Sequence, residues 1–146
     1  MNTSTEQATT TAADTVSSAR NTVFSVLIGI SAVAVILQGL WAGIFLEHDG
    51  QRDAAGNWID VHARGAEVAL AFAVLGTAYA LWKRRVRKDL WIGGLVFTAL
   101  IIAESYMGGQ IRDASKDTLT AIHVPLAMAI MGLAVWLPAR AARRTS

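Results

Sequence analysis

The chain has 146 residues, 53% of them hydrophobic, with a mean hydropathy of +0.41 and a formal net charge of +2. A soluble domain of this length cannot bury the four long apolar segments it carries, so the composition excludes one and fits a single compact membrane domain. Cysteine is absent, which excludes disulfides, thiolate metal sites and cysteine nucleophiles, and no basic-aromatic surface of the nucleic-acid-binding kind is present.

Residues 1–22 are rich in Thr, Ser and Ala, with Arg20 their single basic residue, and read as a disordered tail. The segment 23–46 is too long for a signal-peptide core and lacks a basic flank with a cleavage site, so it reads as an uncleaved first membrane helix. Three further apolar segments follow at 66–82, 90–107 and 119–138. Each approaches the ~20 residues with which a helix crosses ~30 Å of hydrocarbon. Residues 23–138 therefore form one transmembrane domain, and 139–146 a basic tail. The connections are short, which makes successive helices antiparallel neighbours. The expected fold is all-α, an integral membrane up-down four-helix bundle. Gly39 and Gly43 make a GxxxG on the first helix, and Gly76, Gly93, Gly94 and Gly132 offer further points of close approach. Pro125 falls early in the fourth helix, where a missing N–H costs least.

Charge orients the bundle. Lys83, Arg84, Arg85, Arg87 and Lys88 crowd the second connection, and Arg140, Arg143 and Arg144 the C-terminal tail. The first connection sets Arg52 against Glu47, Asp49, Asp53 and Asp60. In the third, Arg112 and Lys116 are balanced by Asp113 and Asp117. By the positive-inside rule both termini and the second connection are cytoplasmic. Trp82, Trp91 and Trp136 then fall at the inner boundary and Trp58 near the outer one, depths that suit an indole ring.

Two stretches read as versions of one unit. Gln38 to Gly43, an outer loop and His62 precede a helix ending at Trp82 and a basic run. Glu104 to Gly109, an outer loop and His123 precede a helix ending at Trp136 and a basic tail. Two parallel-repeated helix pairs about an axis along the membrane normal would place His62 and His123 on opposite sides of the bundle centre.

Polar residues inside the spans are costly and usually face the bundle interior. Gln38, His62, Arg64, Glu67, Glu104 and His123 all fall in the outer half. His62 and His123 suit axial ligation of haem iron, one imidazole from each of two helices, and equally suit plain interfacial anchoring. Arg64, with Arg52, Arg112 and Lys116, lies near enough to the outer surface to meet haem propionates. Two histidines are too few for a zinc or copper site. Glu67 reads as an ion-pair partner of Arg64 three residues earlier, or as a proton-relay carboxylate. Glu104 and Gln38 read as hydrogen-bonding glue between helices, and His48 as solvated.

These residues resemble one four-helix half of haem A synthase. Glu104-Ser105-Tyr106-Met107-Gly108-Gly109 followed by Ala121-Ile122-His123 is similar to that family's Gln…Gly-Gly helix and the histidine helix after it. Asp60-Val61-His62-Ala63-Arg64, with the helix ending Leu81-Trp82-Lys83-Arg84-Arg85, is similar to its acidic-x-x-His-Arg helix. The chain also resembles small bacterial four-helix membrane proteins of the same plan. The resemblance implies haem ligation by His62 and His123. Ile59 stands where the family has its reactive glutamate, the outer-loop cysteines are absent, and the enzyme uses two such halves. The expectation is thus a haem b-binding protein of a bacterial plasma membrane, in electron transfer, haem handling or sensing, rather than a haem A synthase. The alternatives are a cofactor-free accessory protein that binds other membrane subunits or its own copies, and a proton-transport element using Glu67 and Glu104. An apolar inner half argues against the last.

Overall fold

The structure, a computed structural model, describes residues 3–48, 52–83, 85 and 87–142. Arg84, Arg143, Arg144 and Asp49 of the charge pattern lie outside them. The described residues form four α-helices: α1 Thr3–Glu47, α2 Arg52–Lys83, α3 Lys88–Ala114 and, after a short 3-10 turn at Asp117–Leu119, α4 Thr120–Ala142. All four contain a stretch long and apolar enough to cross a membrane: Thr22–Glu47, Gly56–Lys83, Lys88–Ala114 and Thr120–Ala142. The protein is a multi-pass membrane protein with the expected four-helix architecture.

The helices run past the apolar segments that announce them. α1 already begins at Thr3, inside the segment expected to be disordered. Extending an existing helix adds one hydrogen bond per residue fixed and avoids the nucleation cost, so a polar, Ala-containing stretch can follow. α2 begins at Arg52, ten residues before His62, so that His62 lies inside a helix and not at its start. Polarity ends the apolar run there, but nothing in 52–65 ends the helix. Pro125 is in the second turn of α4, where it withholds an N–H from the Ala121 carbonyl instead of replacing an idle one.

Each helix packs on its two neighbours: α1 on α2 and α4, and α3 on α2 and α4. Among the described residues of the diagonal pairs, α1 with α3 and α2 with α4, no Cα atoms approach within 8 Å. Register follows from contacts across the α1–α2 pair. Ser31 Oγ donates to the Ala69 carbonyl at 2.7 Å, and two turns further along α1 Gln38 meets His62, two turns earlier along α2. Thr77 and Thr98 hydroxyls join α2 to α3 at 3.0 Å.

Interior packing is uneven along the bundle axis. The largest fully buried side chains are Phe24, Ile28, Ser31, Leu90, Phe97 and Leu137. With Ala73, Ala80, Ala134 and Ala141 they fill the half of the bundle that holds the α2–α3 turn, here called the basic end. α2 lends small residues to this core at four-residue steps, Ala69, Ala73 and Thr77. Without a hydrophobic force between helices in lipid, such steps let side chains interlock by van der Waals contact. A Cβ at Gly76 would meet Ile28 Cδ1 at 2.7 Å. The GxxxG of α1 is not used this way: Gly43 has no neighbour within 4 Å of the Cβ position, and Gly39 meets only the end of Met131. Outward, Val33, Leu40, Val68, Val74, Ile102 and Val135 are exposed, as lipid-facing side chains are.

At the basic end one carboxylate ties the turn to α4. Arg87 donates to both oxygens of Asp89, at 3.0 and 2.8 Å, and to the Arg140 carbonyl at 3.1 Å; Arg140 Nε reaches Asp89 Oδ2 at 3.0 Å. Lys83 caps the Trp82 ring at 3.7 Å, a cation–π contact at the expected boundary depth. At the other end α3 closes on Ser115, a left-handed residue with φ 52°.

Candidate functional site

The end opposite the basic turn contains the α1–α2 and α3–α4 connections and most of the intramembrane polar side chains. Phe24, Ile28, Leu90, Phe97 and Leu137 stop short of it. In their place stand Gln38 from α1, His62 from α2, Glu104 from α3 and His123 from α4, all partly buried and one from each helix.

His62 is held from two sides. Its Nδ1 lies 3.2 Å from the Gln38 main-chain oxygen. A carbonyl can only accept, so Nδ1 carries the proton and Nε2 keeps its lone pair. Phe45 meets the ring edge-to-face, centroids 5.6 Å apart and planes at 88°. One turn beyond His62, Gly65 lets the Trp41 ring and the Gln38 amide lie directly on the α2 backbone. A glycine inside a helix costs about 1 kcal/mol relative to alanine, and here close packing explains it.

His123 Nδ1 lies 3.1 Å from Glu104 Oε1, with the side chains 19% and 14% exposed. The pair is in ion-pair range, but ring and carboxylate are not aligned as a hydrogen bond, so both keep unused capacity. Gly108 backs the ring: a Cβ there would stand 3.4 Å from His123 Cε1. His62 and His123 are close enough for charge on one to be felt by the other. They come from the diagonal helices α2 and α4, whose backbones do not touch.

Among the described residues, four buried side-chain atoms lack a hydrogen-bond partner: Gln38 Oε1, both Glu104 oxygens and His123 Nδ1. All belong to this polar group. Buried polar atoms are otherwise satisfied in folded proteins, and a cluster of exceptions marks where a ligand or water completes the structure.

The other polar residues singled out in the sequence lie elsewhere. Arg64 and Glu67 pair with each other at 3.3 Å and are 80% and 67% exposed. Arg64 lies two positions after His62, which sets it on the opposite side of α2. Arg112 pairs with its neighbour Asp113 at 2.7 Å, and Lys116 with Gln110 at 2.6 Å. His48 turns back on its own helix, Nδ1 donating to the Ile44 carbonyl at 2.7 Å. Gly65 and Phe45 were not evident from sequence; an intrahelical glycine one turn from His62 was the available signal.

The donor set limits what could bind. No group of three or more His, Asp or Glu among the described residues can hold a metal ion. Zinc, copper or non-haem iron would need such a group. Haem brings four nitrogen ligands of its own and asks the protein for two, which an imidazole pair across a diagonal supplies. Two imidazoles on diagonal helices are the number of protein ligands a six-coordinate haem would take. No protein-family model, curated protein or solved structure matches the chain.

Proposed function

We propose that this four-helix membrane protein binds one haem b, with His62 of α2 and His123 of α4 as axial ligands, in a bacterial plasma membrane with both termini cytoplasmic and the haem toward the outer face. The observation that carries the reading is the placement of the two half-buried histidines. They lie on diagonal helices, within electrostatic reach of each other, where the large apolar side chains of the interior give out. His62 presents Nε2 because Nδ1 is engaged by Gln38. Bound haem would supply a one-electron Fe(III)/Fe(II) couple. The chain's residues hold and orient it, and the apolar basic half keeps water from crossing. The resemblance to a haem A synthase half selects the same histidines, and electron transfer near the outer face is the role this arrangement suits best.

The test is spectroscopic. The full chain, purified in mild detergent with haem supplied, should give a six-coordinate reduced-minus-oxidised spectrum. His62→Ala and His123→Ala should each abolish it while the helical circular dichroism persists. Helical wild-type protein that takes up no haem would sink the reading and leave a cofactor-free accessory protein in its place.

A further inference from the structure

Independently of the haem reading, we infer that the basic end is a binding surface for anionic phospholipid. Lys83, Arg85 and Lys88 around the α2–α3 turn take the headgroup phosphate, and the outward faces of α2 and α3 take the acyl chains. The two ends of the bundle carry the same kinds of cation and treat them differently. At the histidine end Arg64 pairs with Glu67, Arg112 with Asp113, and Lys116 with the Gln110 side chain. At the basic end, Asp89 is the one carboxylate among the described residues of the α2–α3 turn and the last turn of α4, and Arg87 and Arg140 both take it. Lys83, Arg85 and Lys88 are left exposed, and among the described residues none of them has a carboxylate in ion-pair range.

Their places decide what they meet. Lys88 heads an exposed stripe of α3 that continues through Ile92, Leu95, Val96 and Ala99 on one helix face. In a bilayer that stripe faces lipid, so the Lys88 ammonium stands over the lipid whose chains cover Ile92 and Leu95. α2 does the same from the other side of the turn. Its exposed residues Val74, Leu75, Ala78 and Leu81 lead to Trp82, 71% exposed, with the Lys83 ammonium 3.7 Å from the ring centroid. An indole there settles at headgroup depth and keeps the ammonium with it. Arg85 spends its Nε on the Leu81 carbonyl, which folds the side chain back along α2 and leaves its terminal nitrogens for an outside acceptor. A zwitterionic headgroup brings its own cation to each phosphate. An anionic headgroup brings a phosphate with nothing to neutralise it, and a set of unpaired cations selects the second.

The experiment is a titration of full-length protein in neutral detergent with phosphatidylglycerol or phosphatidylcholine, bound lipid being read by native mass spectrometry. Phosphatidylglycerol is expected to bind about tenfold more tightly or better, since each basic residue near an anionic surface contributes about fivefold. In the combined variant Lys83→Gln, Arg85→Gln, Lys88→Gln the preference should fall to about twofold or less. The combined variant Arg112→Gln, Lys116→Gln removes cations that already have partners and should keep the preference. Wild-type protein that does not distinguish the lipids overturns the inference, as does a preference that survives the triple variant or is lost equally in the double one. If the triple variant is not helical, Lys88→Gln alone decides: a loss of about fivefold supports the surface, and an unchanged preference overturns it. Inorganic phosphate at matched ionic strength should leave the lipid bound; displacement by it would make this a free-anion site and overturn the lipid assignment.

Discussion

His62 hangs from the main-chain oxygen of Gln38, 3.2 Å from Nδ1, and that one contact decides which ring nitrogen remains available. The partner belongs to the backbone of α1, so no side-chain substitution at position 38 removes it directly. The ring's orientation then depends on what packs beside it.

Phe45 is the packing partner open to mutation. Its edge-to-face contact with His62 belongs to a class worth about 0.5–1.5 kcal/mol. Phe45→Ala is expected to weaken haem uptake about tenfold at most, by that range, and to leave the spectrum six-coordinate. Haem titration monitored by absorbance checks it. Loss of six-coordination would mean that Phe45 does more than steady the ring.

Two glycines of the α1–α2 pair should respond in opposite directions. At Gly65 a methyl would run into the Trp41 ring and the Gln38 amide, whereas at Gly43 it would meet nothing within 4 Å. Gly65→Ala is expected to destabilise by about 1–3 kcal/mol, the usual cost of overpacking, and to lower haem occupancy because His62 lies one turn away. Gly43→Ala should stabilise by about 0.5–1 kcal/mol through helix propensity. Thermal unfolding in detergent reports both, and equal effects would refute the packing account.

The same two positions show how much was legible in the sequence. Four spans could be read because hydropathy over about 20 residues integrates many weak terms into one strong signal. The polar group at one end was legible for a similar reason: a histidine or carboxylate stands out against an apolar run. Which glycines matter was not, since a GxxxG pattern records spacing and not the direction in which it faces. Gly43 belongs to the motif and faces open space; Gly65 belongs to none and carries the contact. Arg64 illustrates the same limit. It is near His62 in sequence but turned about 200° away on the helix, and it pairs with Glu67 instead.

The ion pairs at the two ends should differ in weight. Arg64 and Glu67 are largely exposed, and such pairs contribute about 0–1 kcal/mol. Arg64→Ala and Glu67→Gln are each expected to leave the melting temperature and haem uptake nearly unchanged. Asp89 accepts from two arginines, and the Arg87 side chain is only 12% exposed. Asp89→Asn should cost about 1–3 kcal/mol, since hydrogen bonds to charged groups are the stronger kind and two arginines lose their anionic acceptor. Melting curves of the three variants rank the sites; a large effect at Arg64 with none at Asp89 would reverse this assignment.

Orientation in the membrane can be tested cleanly because the chain has no cysteine of its own. Thr118 lies exposed beside α4 at the end that holds the histidines, and Arg85 lies exposed in the basic turn. Single cysteines at these two positions can be challenged in intact cells with a membrane-impermeant maleimide. Lysine and arginine near span ends are retained on the cytoplasmic side, and the basic turn alone contains Lys83, Arg84, Arg85, Arg87 and Lys88. Thr118→Cys should therefore label in intact cells, and Arg85→Cys only after lysis. The reverse pattern would place His62 and His123 toward the cytoplasm. A haem there would exchange electrons with cytoplasmic donors, so the labelling result decides which side the redox partner occupies even if the haem assignment itself stands.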